Sequence, residues 1–359
     1  MIDKFRKDRT MELEDFKNRK VLITGHTGFK GSWLTKILLM AGAEVCGIAL
    51  DPPTTPSLFE ELHLKEALKE RSVICDVRDL QKMQEVFASF KPEIVIHLAA
   101  QPIVRESYKD PVTTYSTNVM GTVNLLECVR NTPSVRSVLN VTTDKVYENK
   151  ETDQAYKEDD RLDGYDPYSN SKSCSELVTH SYKLSFLNEM DIPVSTARAG
   201  NVIGGGDYAK DRIIPDCVRA AEQGLPVVLR NPHSIRPYQH VLEPLFVYLT
   251  IVMEQEKDHS LAGNYNVGPD KRDCVETGVL AGFFCDAWKE QASWTSQNDN
   301  GPHEANFLKL DNSKIKEVFG WHPVWDARTA VQKVVEYAKS PDKEKTVEEQ
   351  IRTFIRDRK

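Results

Sequence analysis

The stretch VLITGHTGFKG, residues 21–31, decides the fold of this chain. Its first four residues predict a short buried strand, and residues 32–41 that follow predict a helix. Between the two stand Gly25, Gly28 and Gly31. Glycines at such a turn let the backbone approach a pyrophosphate, and the helix N-terminus offers unpaired N–H groups and a favourable dipole. The stretch therefore predicts a dinucleotide-binding turn; the alternative is a plain strand-to-helix connection.

An acidic residue, Asp51, follows the predicted second strand, which covers residues 43–50, and lies twenty residues beyond Gly31. A carboxylate at this position can accept hydrogen bonds from both ribose hydroxyls and would repel a 2′-phosphate. The position therefore favours NAD over NADP as the cofactor. The alternative is that Asp51 is a turn residue before Pro52 and Pro53.

Apolar runs alternate with segments of helical period through the first 200 residues. This rhythm predicts an α/β fold with a Rossmann-like, doubly wound parallel sheet covered by helices on both faces. Beyond about residue 200 the rhythm loosens, which indicates a smaller C-terminal lobe over the edge of the sheet. We expect a polar N-terminal extension over residues 1–19, a dinucleotide-binding domain over 20–200, and the smaller lobe mainly over 201–359. Some segments of that last lobe are expected to return to the Rossmann domain.

The overall composition limits the classes of function. The chain has 359 residues and a formal net charge of -7, which argues against an extended nucleic-acid surface. Seven scattered cysteines without a CxxC pair indicate reduced thiols in a cytoplasmic protein. No apolar run approaches the length of a membrane span, and the charged N-terminus does not resemble a signal peptide.

A tyrosine and a lysine, Tyr168 and Lys172, are spaced four residues apart on a predicted helix over residues 168–187. This spacing puts the phenol and the ammonium on one helix face. A nearby positive charge lowers the pKa of a phenol, so that Tyr168 is expected to act as a general base on a sugar hydroxyl. Such a pair is common by chance, but this one follows a dinucleotide-binding turn and a strand that ends in Thr142 and Thr143.

Several motifs together resemble the extended short-chain dehydrogenase/reductases, over nearly the whole chain. They are TGHTGFKG (24–31), IVIHLAA (94–100), STNVMGT (116–122), TTDKVY (142–147), YSNSK (168–172) and RAGNVIG (198–204). Further strings resemble the CDP-glucose 4,6-dehydratase subgroup of that family: RAGNVIGGGD (198–207), KDRIIPD (210–216), RNPHSIRPYQHVLEPL (230–245), HEANFLKLD (303–311) and GWHP (320–323). The resemblance implies an NAD-dependent lyase of deoxysugar and surface-polysaccharide biosynthesis, with CDP-glucose as its substrate. It also implies that the domain over 20–200 is an NAD-binding domain with the catalytic residues, and that the lobe over 201–359 is mainly a sugar-nucleotide-binding lobe.

The resemblance also implies roles for individual residues. Thr143 would bind the reacting hydroxyl, Tyr168 would be the base, and Lys172 would bind the nicotinamide ribose. The cofactor-binding residues would be Gly25, Thr27, Gly28, Phe29, Lys30, Gly31, Asp51, Asp76, Val77, Leu98, Ala99, Ala100, Asn118, Tyr168 and Lys172. The sugar nucleotide would contact Asn201, Arg212, Arg236 and Tyr238, and guanidinium groups suit such a site because they bind phosphate in a bidentate manner.

Asp144 and Lys145 distinguish the expected elimination from simple epimerisation. The better-known dTDP-glucose dehydratases carry Asp-Glu after the threonine, whereas this chain carries Asp-Lys, as the CDP-glucose subgroup does. The implied mechanism oxidises C4 of the hexose, which makes the C5 proton acidic. Lys145 would then take the C5 proton while Asp144 protonates the departing C6 hydroxyl, and the hydride returns to C6. Lys145 must be partly neutral for this role.

Three alternatives stay open at this stage: a nucleotide-sugar 4-epimerase, a dehydratase of another nucleotide hexose, and a redox-silent dinucleotide-binding regulator. The pair His303 and Glu304 has no third ligand at suitable spacing, so no metal site is expected. We expect a homodimer or homotetramer without nucleic-acid or membrane partners.

Overall fold

The computed structural model describes residues 11–150, 152, 154–289, 292–297 and 308–359. The strands are β1 (Lys20–Thr24), β2 (Glu44–Ala49), β3 (Ser72–Ile74), β4 (Ile94–His97), β5 (Ser137–Thr143), β6 (Val194–Ala199), β7 (Asn201–Ile203), β8 (Val227–Leu229), β9 (Ile235–His240), β10 (Asn264–Val267), β11 (Cys274–Glu276) and β12 (Trp294–Ser296). The helices of the N-terminal half are α1 (Phe29–Met40), α2 (Leu58–Glu61), α3 (Leu64–Leu68), α4 (Leu80–Phe90), α5 (Val104–Lys109), α6 (Pro111–Tyr115), α7 (Gly121–Arg130) and α8 (Pro167–Tyr182). Those of the C-terminal half are α9 (Ile213–Glu222), α10 (Leu242–Lys257), α11 (Thr277–Trp288), α12 (Ser313–Phe319), α13 (Ala327–Lys339) and α14 (Lys343–Asp357). Two π-helical segments, Ser116–Met120 and Lys183–Leu187, follow α6 and α8.

A seven-stranded sheet in the order β10-β6-β5-β4-β1-β2-β3 forms the centre of the molecule, and all its strand pairs are parallel. The strand order reverses between β1 and β4, where ligands bind in doubly wound folds. The predicted Rossmann-like sheet is therefore confirmed. Its edge strand β10 comes from the C-terminal half, beyond residue 200.

Successive side chains of each strand enter two different cores, as expected for a sheet covered on both faces. Val21 and Ile23 pack with α1, α10 and α14 on one face, whereas Leu22 packs with α4 and α7 on the other. The first of these cores also contains Met11 and Phe16. The described end of the expected polar extension is thus part of the core, because Met11 and Phe16 are buried and Leu13 packs against the same core.

A second, smaller lobe covers the carboxyl end of the sheet. It contains the sheet β11-β9-β7, the pair β12-β8 and a core between α9, α11 and α13. Among the described helices, none is long and apolar enough to cross a membrane.

Candidate active site

The glycine turn lies tight against the end of β4. Gly25 has a φ of +79°, which favours glycine, and a Cβ on it would lie 2.9 Å from the backbone nitrogen of Ala99. A Cβ on Gly31 would lie 2.0 Å from the carbonyl oxygen of Gly25. Helix α1 begins at Phe29, three residues before its predicted start, so Lys30 lies in its first turn. The cradle of bare backbone next to a helix N-terminus fits a pyrophosphate.

The residues expected around the adenosine end lie at the ends of β2 and β3. Asp51 is exposed just beyond β2, and the hydroxyl of Thr27 donates to the carbonyl oxygen of Leu50 at 2.8 Å. The carboxylate of Asp76 accepts hydrogen bonds from Arg78, which hold its pKa below the usual value. Val77 is buried under α7.

Asn118 lies behind the loop that follows β4, in a buried network. Its side-chain oxygen accepts from the backbone N–H of Gln101 at 2.8 Å, and its amide donates to Ser171 on α8 at 2.9 Å. The expected cofactor residue Asn118 therefore holds the 98–101 loop against the helix that carries Tyr168 and Lys172. Leu98, Ala99 and Ala100 form the half-buried rim of this loop.

Tyr168 lies in the first turn of α8, whose N-terminus is capped by the side chain of Asp166. Burial raises the pKa of Tyr168 to about 12, a hydrogen bond with Thr143 opposes this rise, and the charge of Asp144 adds to it. The net shift is opposite to the one expected from Lys172. The ammonium of Lys172 instead donates to the carbonyl oxygen of Val141 at 3.2 Å. Burial lowers the pKa of Lys172 to about 8, against the opposing charge of Glu176.

Asp144 and Lys145 form a direct ion pair at the end of β5. The Nζ atom of Lys145 is 3.3 Å from Oδ1 of Asp144, and the hydroxyl of Thr143 donates to the same oxygen at 3.0 Å. The Asp144 side chain is only 1% exposed, whereas that of Lys145 is 27% exposed. Oδ2 of Asp144 is buried without a hydrogen-bond partner among the described residues, next to Gly200. A continuous chain of contacts therefore joins Tyr168, Thr143, Asp144 and Lys145.

The four expected substrate residues do not all lie near the reacting side chains. Arg212 forms an ion pair with Asp207 at 3.0 Å, and its charge reaches Tyr168, so it belongs with the reacting residues. Asn201 begins β7, and the nearly buried Arg236 lies on the neighbouring β9. Tyr238, in contrast, is buried in the core of the smaller lobe, and its hydroxyl contacts Thr277 at 3.1 Å.

The side chain of Lys30 is the feature that sequence reasoning missed. It was expected only as part of the glycine turn, yet Arg212, Asp144, Lys172 and Lys145 all act on it electrostatically. Burial, the largest cause, and the neighbouring cations lower the pKa of Lys30 to about 7. A lysine in the first turn of a helix is unfavourable for the helix dipole. This unusual position was the sequence signal that could have indicated a role for the Lys30 side chain.

Within the described residues no group of acidic, histidine and cysteine side chains could hold a metal ion. His303 and Glu304 lie outside the described residues.

Comparisons with known proteins place this site in context. A family model described as GDP-mannose 4,6 dehydratase matches residues 22–334. The chain is 46% identical to the CDP-glucose 4,6-dehydratase of Salmonella typhimurium over 331 residues, which cover 90% of this chain and 92% of that protein. Among solved structures, dTDP-glucose 4,6-dehydratase from Bacillus anthracis in complex with NAD matches with a TM-score of 0.74 at 20% identity, covering 92% of this chain and 99% of the other. UDP-glucuronic acid 4-epimerase from Bacillus cereus, solved with UDP-glucuronic acid and NAD, matches with a TM-score of 0.76 at 21% identity, covering 89% and 99%.

Proposed function

Because this chain belongs to the GDP-mannose 4,6-dehydratase family, we propose that it converts CDP-glucose to CDP-4-dehydro-6-deoxyglucose and water. The observation that carries the proposal is the contact chain from Tyr168 through Thr143 to the Asp144–Lys145 pair. Such a chain combines a base for alcohol oxidation with an acid and a base for elimination. A 4-epimerase needs only the first of these.

NAD⁺ would supply the acceptor for the C4 hydride and would later return that hydride to C6. The glycine turn fits this cofactor because Gly25 and Gly31 leave the backbone bare where any Cβ would collide. We assign its pyrophosphate to residues 25–31, its ribose to Asp51, and its adenine to the surroundings of Asp76 and Val77. The 98–100 loop would line its path towards the nicotinamide, whose ribose would meet Tyr168 and Lys172.

In the first step Tyr168 takes the proton of the C4 hydroxyl, while Thr143 binds the same oxygen. The C4–H bond breaks with its electron pair leaving as hydride, and a C4 ketone forms. Burial raises the pKa of Tyr168 to about 12, and the hydrogen bond with Thr143 and the charge of Arg212 oppose this rise, which favours the phenolate that this step requires.

Elimination requires a neutral amine and a protonated carboxyl group, and one proton shift produces both. Transfer of a proton from Lys145 to Asp144 across their 3.3 Å contact replaces a partly buried ion pair with two neutral groups. Lys145 then takes the C5 proton, and Asp144 protonates the C6 hydroxyl, which leaves as water. Hydride returns to C6, and the Lys145 ammonium returns a proton to C5.

The proton balance closes through Thr143. At the end of the sequence Tyr168 holds one proton from the C4 hydroxyl, and Asp144 lacks the proton that left with water. The contact of Tyr168 with Thr143 and the hydrogen bond from Thr143 to Asp144 provide the route between them. One proton passing along this chain resets the site.

We assign the diphosphate of the substrate to Arg212 and Arg236, and we place Asn201 against the sugar nucleotide. Arg212 can bind a phosphate because its guanidinium group has five N–H donors and its ion-pair partner, Asp207, is a single carboxylate. The cytidine assignment rests on the name of the Salmonella relative.

We further propose that the protein acts in the cytoplasm as a homodimer or homotetramer. The seven cysteines are all free, which suits a reducing compartment. Large apolar side chains are exposed on α5, α6, α8 and the segments next to them, which favours self-association. They are Tyr108, Val112, Tyr115, Met120, Tyr165, Leu177, Leu184 and Phe186.

The proposed function is tested by incubating the purified protein separately with CDP-, dTDP-, UDP- and GDP-glucose. We expect a 4-keto-6-deoxy product from CDP-glucose, without net consumption of cofactor. Formation of CDP-galactose would favour a 4-epimerase, and product from another nucleotide would correct the base. No reaction with any of the four would refute the proposal.

A further inference from the structure

The catalytic turn, residues 143–146, is held at both ends by one buried ion pair. Before the turn, the hydroxyl of Thr142 donates to Oε1 of Glu176 at 2.5 Å. After the turn, the guanidinium of Arg198 donates to the hydroxyl of Tyr147 at 2.8 Å. Arg198 and Glu176 are themselves joined at 2.9 Å. We call these four residues the clamp.

The clamp connects the catalytic turn to α8, which carries Tyr168 and Lys172, and to β6. Glu176 lies on α8, two turns beyond Tyr168 and one turn beyond Lys172, and Arg198 lies on β6. Glu176 also accepts from Thr196 on β6 at 2.7 Å, and Arg198 also donates to the carbonyl oxygen of Glu158 at 2.8 Å. The position of the turn relative to α8 is therefore set through directed hydrogen bonds.

Burying the Arg198–Glu176 ion pair costs desolvation free energy, and a stable fold does not need such a pair. The side chains of Arg198 and Glu176 are only 1% and 2% exposed. Replacing a buried ion pair by well-packed apolar residues is often neutral or stabilising, so such a pair is weak evidence of a role in stability. Its directed contacts to both ends of a catalytic turn indicate a role in geometry.

We propose that Glu176 and Arg198 are positioning residues, which act through Thr142 and Tyr147 to hold Asp144 and Lys145 in place for elimination. The proposal rests on the proposed function. Elimination needs both Asp144 and Lys145 aligned at once on C6 and C5, whereas hydride removal from C4 needs only Thr143 from the turn and otherwise depends on Tyr168 and Lys172 of α8. Loosening the clamp therefore slows elimination more than C4 oxidation.

Two variants test the clamp, and they differ in how many of its contacts they remove. Arg198→Met removes the ion pair and the contact with Tyr147. Tyr147→Phe removes the hydroxyl, which contacts both Arg198 and Asn266, and keeps the ring that stacks on Tyr156 at 5.1 Å, so it tests one end of the clamp if Arg198→Met does not fold. Matched controls lose comparable contacts elsewhere. Arg19→Met loses ion pairs with Glu256 and Glu93, and Tyr265→Phe loses a hydrogen bond to the carbonyl oxygen of Leu261.

In single turnover with CDP-glucose, we expect both clamp variants to accumulate bound NADH. Product formation should fall by about a hundredfold in Arg198→Met, as expected for a misplacement near 1 Å, with KM nearly unchanged. Arg198→Lys, which keeps the charge, should recover part of the rate. Equal losses in the clamp variants and the matched controls, without bound NADH, would overturn the proposal.

Amide hydrogen exchange of residues 142–147 tests the clamp without any substrate. Exchange should become faster in both clamp variants and stay unchanged in both controls; unchanged exchange in all four would overturn the clamp. Failure of the proposed function would look different, because the unmodified protein itself would then form no 4-keto-6-deoxy product.

Discussion

Replacing Lys145 with methionine separates the two halves of the proposed reaction. Methionine keeps the apolar stem but deletes the amine that takes the C5 proton. The Tyr168–Thr143 contact and the position of Lys172 are left intact, so C4 oxidation should proceed. A positioned general base contributes about 10²–10⁴-fold, so product formation should slow by this factor, which corresponds to roughly 3–5 kcal/mol.

The same substitution has a calculable effect on stability. Asp144 loses its 3.3 Å contact and keeps the hydrogen bond from Thr143 at 3.0 Å. An under-satisfied buried polar group costs about 1–3 kcal/mol, and the partial exposure of Lys145 favours the lower value because water can enter. For a chain of 359 residues this corresponds to a fall in Tm of roughly 1–4 °C.

The assay is a single turnover with CDP-glucose in deuterated water, in which reduced-cofactor absorbance, product and deuterium at C5 are recorded together. We expect persistent reduced cofactor, little product and slow deuterium entry. Lys257→Met is the matched control, because Lys257 also contacts a carboxylate, that of Glu254 at 2.9 Å, at the far end of α10. Product at the unmodified rate would refute Lys145 as the base. Failure even to reduce the cofactor would show that Lys145 serves binding or oxidation instead.

Three further predictions concern other parts of the molecule. Tyr168→Phe should keep the fold but slow C4 oxidation by about a hundredfold or more, measured as NADH formation in single turnover; near-normal oxidation would show that another group takes the proton. Arg236→Met should raise KM for CDP-glucose by about 10–100-fold with little change in kcat, as expected for loss of a charge-assisted hydrogen bond to phosphate, and an unchanged KM would remove Arg236 from the site. Burial raises the pKa of Glu243 from 4.5 to about 8, so its contribution to stability is complete below about pH 4.5 and is lost as pH rises towards about 8. Glu243→Gln should therefore remove a slope of up to about 1.4 kcal/mol per pH unit from the unfolding free energy over that range, and identical slopes in both proteins would contradict the raised pKa.

The sheet could be predicted from the sequence because most of its strands are continuous apolar runs with helices between them. Strand β10 gives no such signal, since Asn264 and Asn266 alternate with Tyr265 and Val267. The side chain of Asn266 is nevertheless buried, because it accepts from Tyr147 at 2.6 Å and donates to the carbonyl oxygen of Tyr156 at 2.8 Å. Polar residues that are satisfied by distant partners are not recognisable from local periodicity.

The family was predicted from its motifs, and the comparisons confirm it. The electrostatics of the site could not be predicted in the same way. Helical spacing correctly put Tyr168 and Lys172 on one helix. Whether burial or a nearby cation dominates the pKa of the phenol depends on tertiary packing, which the spacing does not show. The approach of Lys30 and Arg212 to the reacting residues likewise depends on where α1 begins and how the smaller lobe closes over the sheet.

The central claim is that hydride leaves C4 and returns to C6 of the same sugar. It is tested most directly with CDP-glucose carrying deuterium at C4, followed by analysis of the product methyl group. We predict a single deuterium at C6 in CDP-4-dehydro-6-deoxyglucose, with no label in free cofactor. Deuterium that is retained at C4 of an epimer, or lost to the cofactor pool, would contradict an internal hydride transfer.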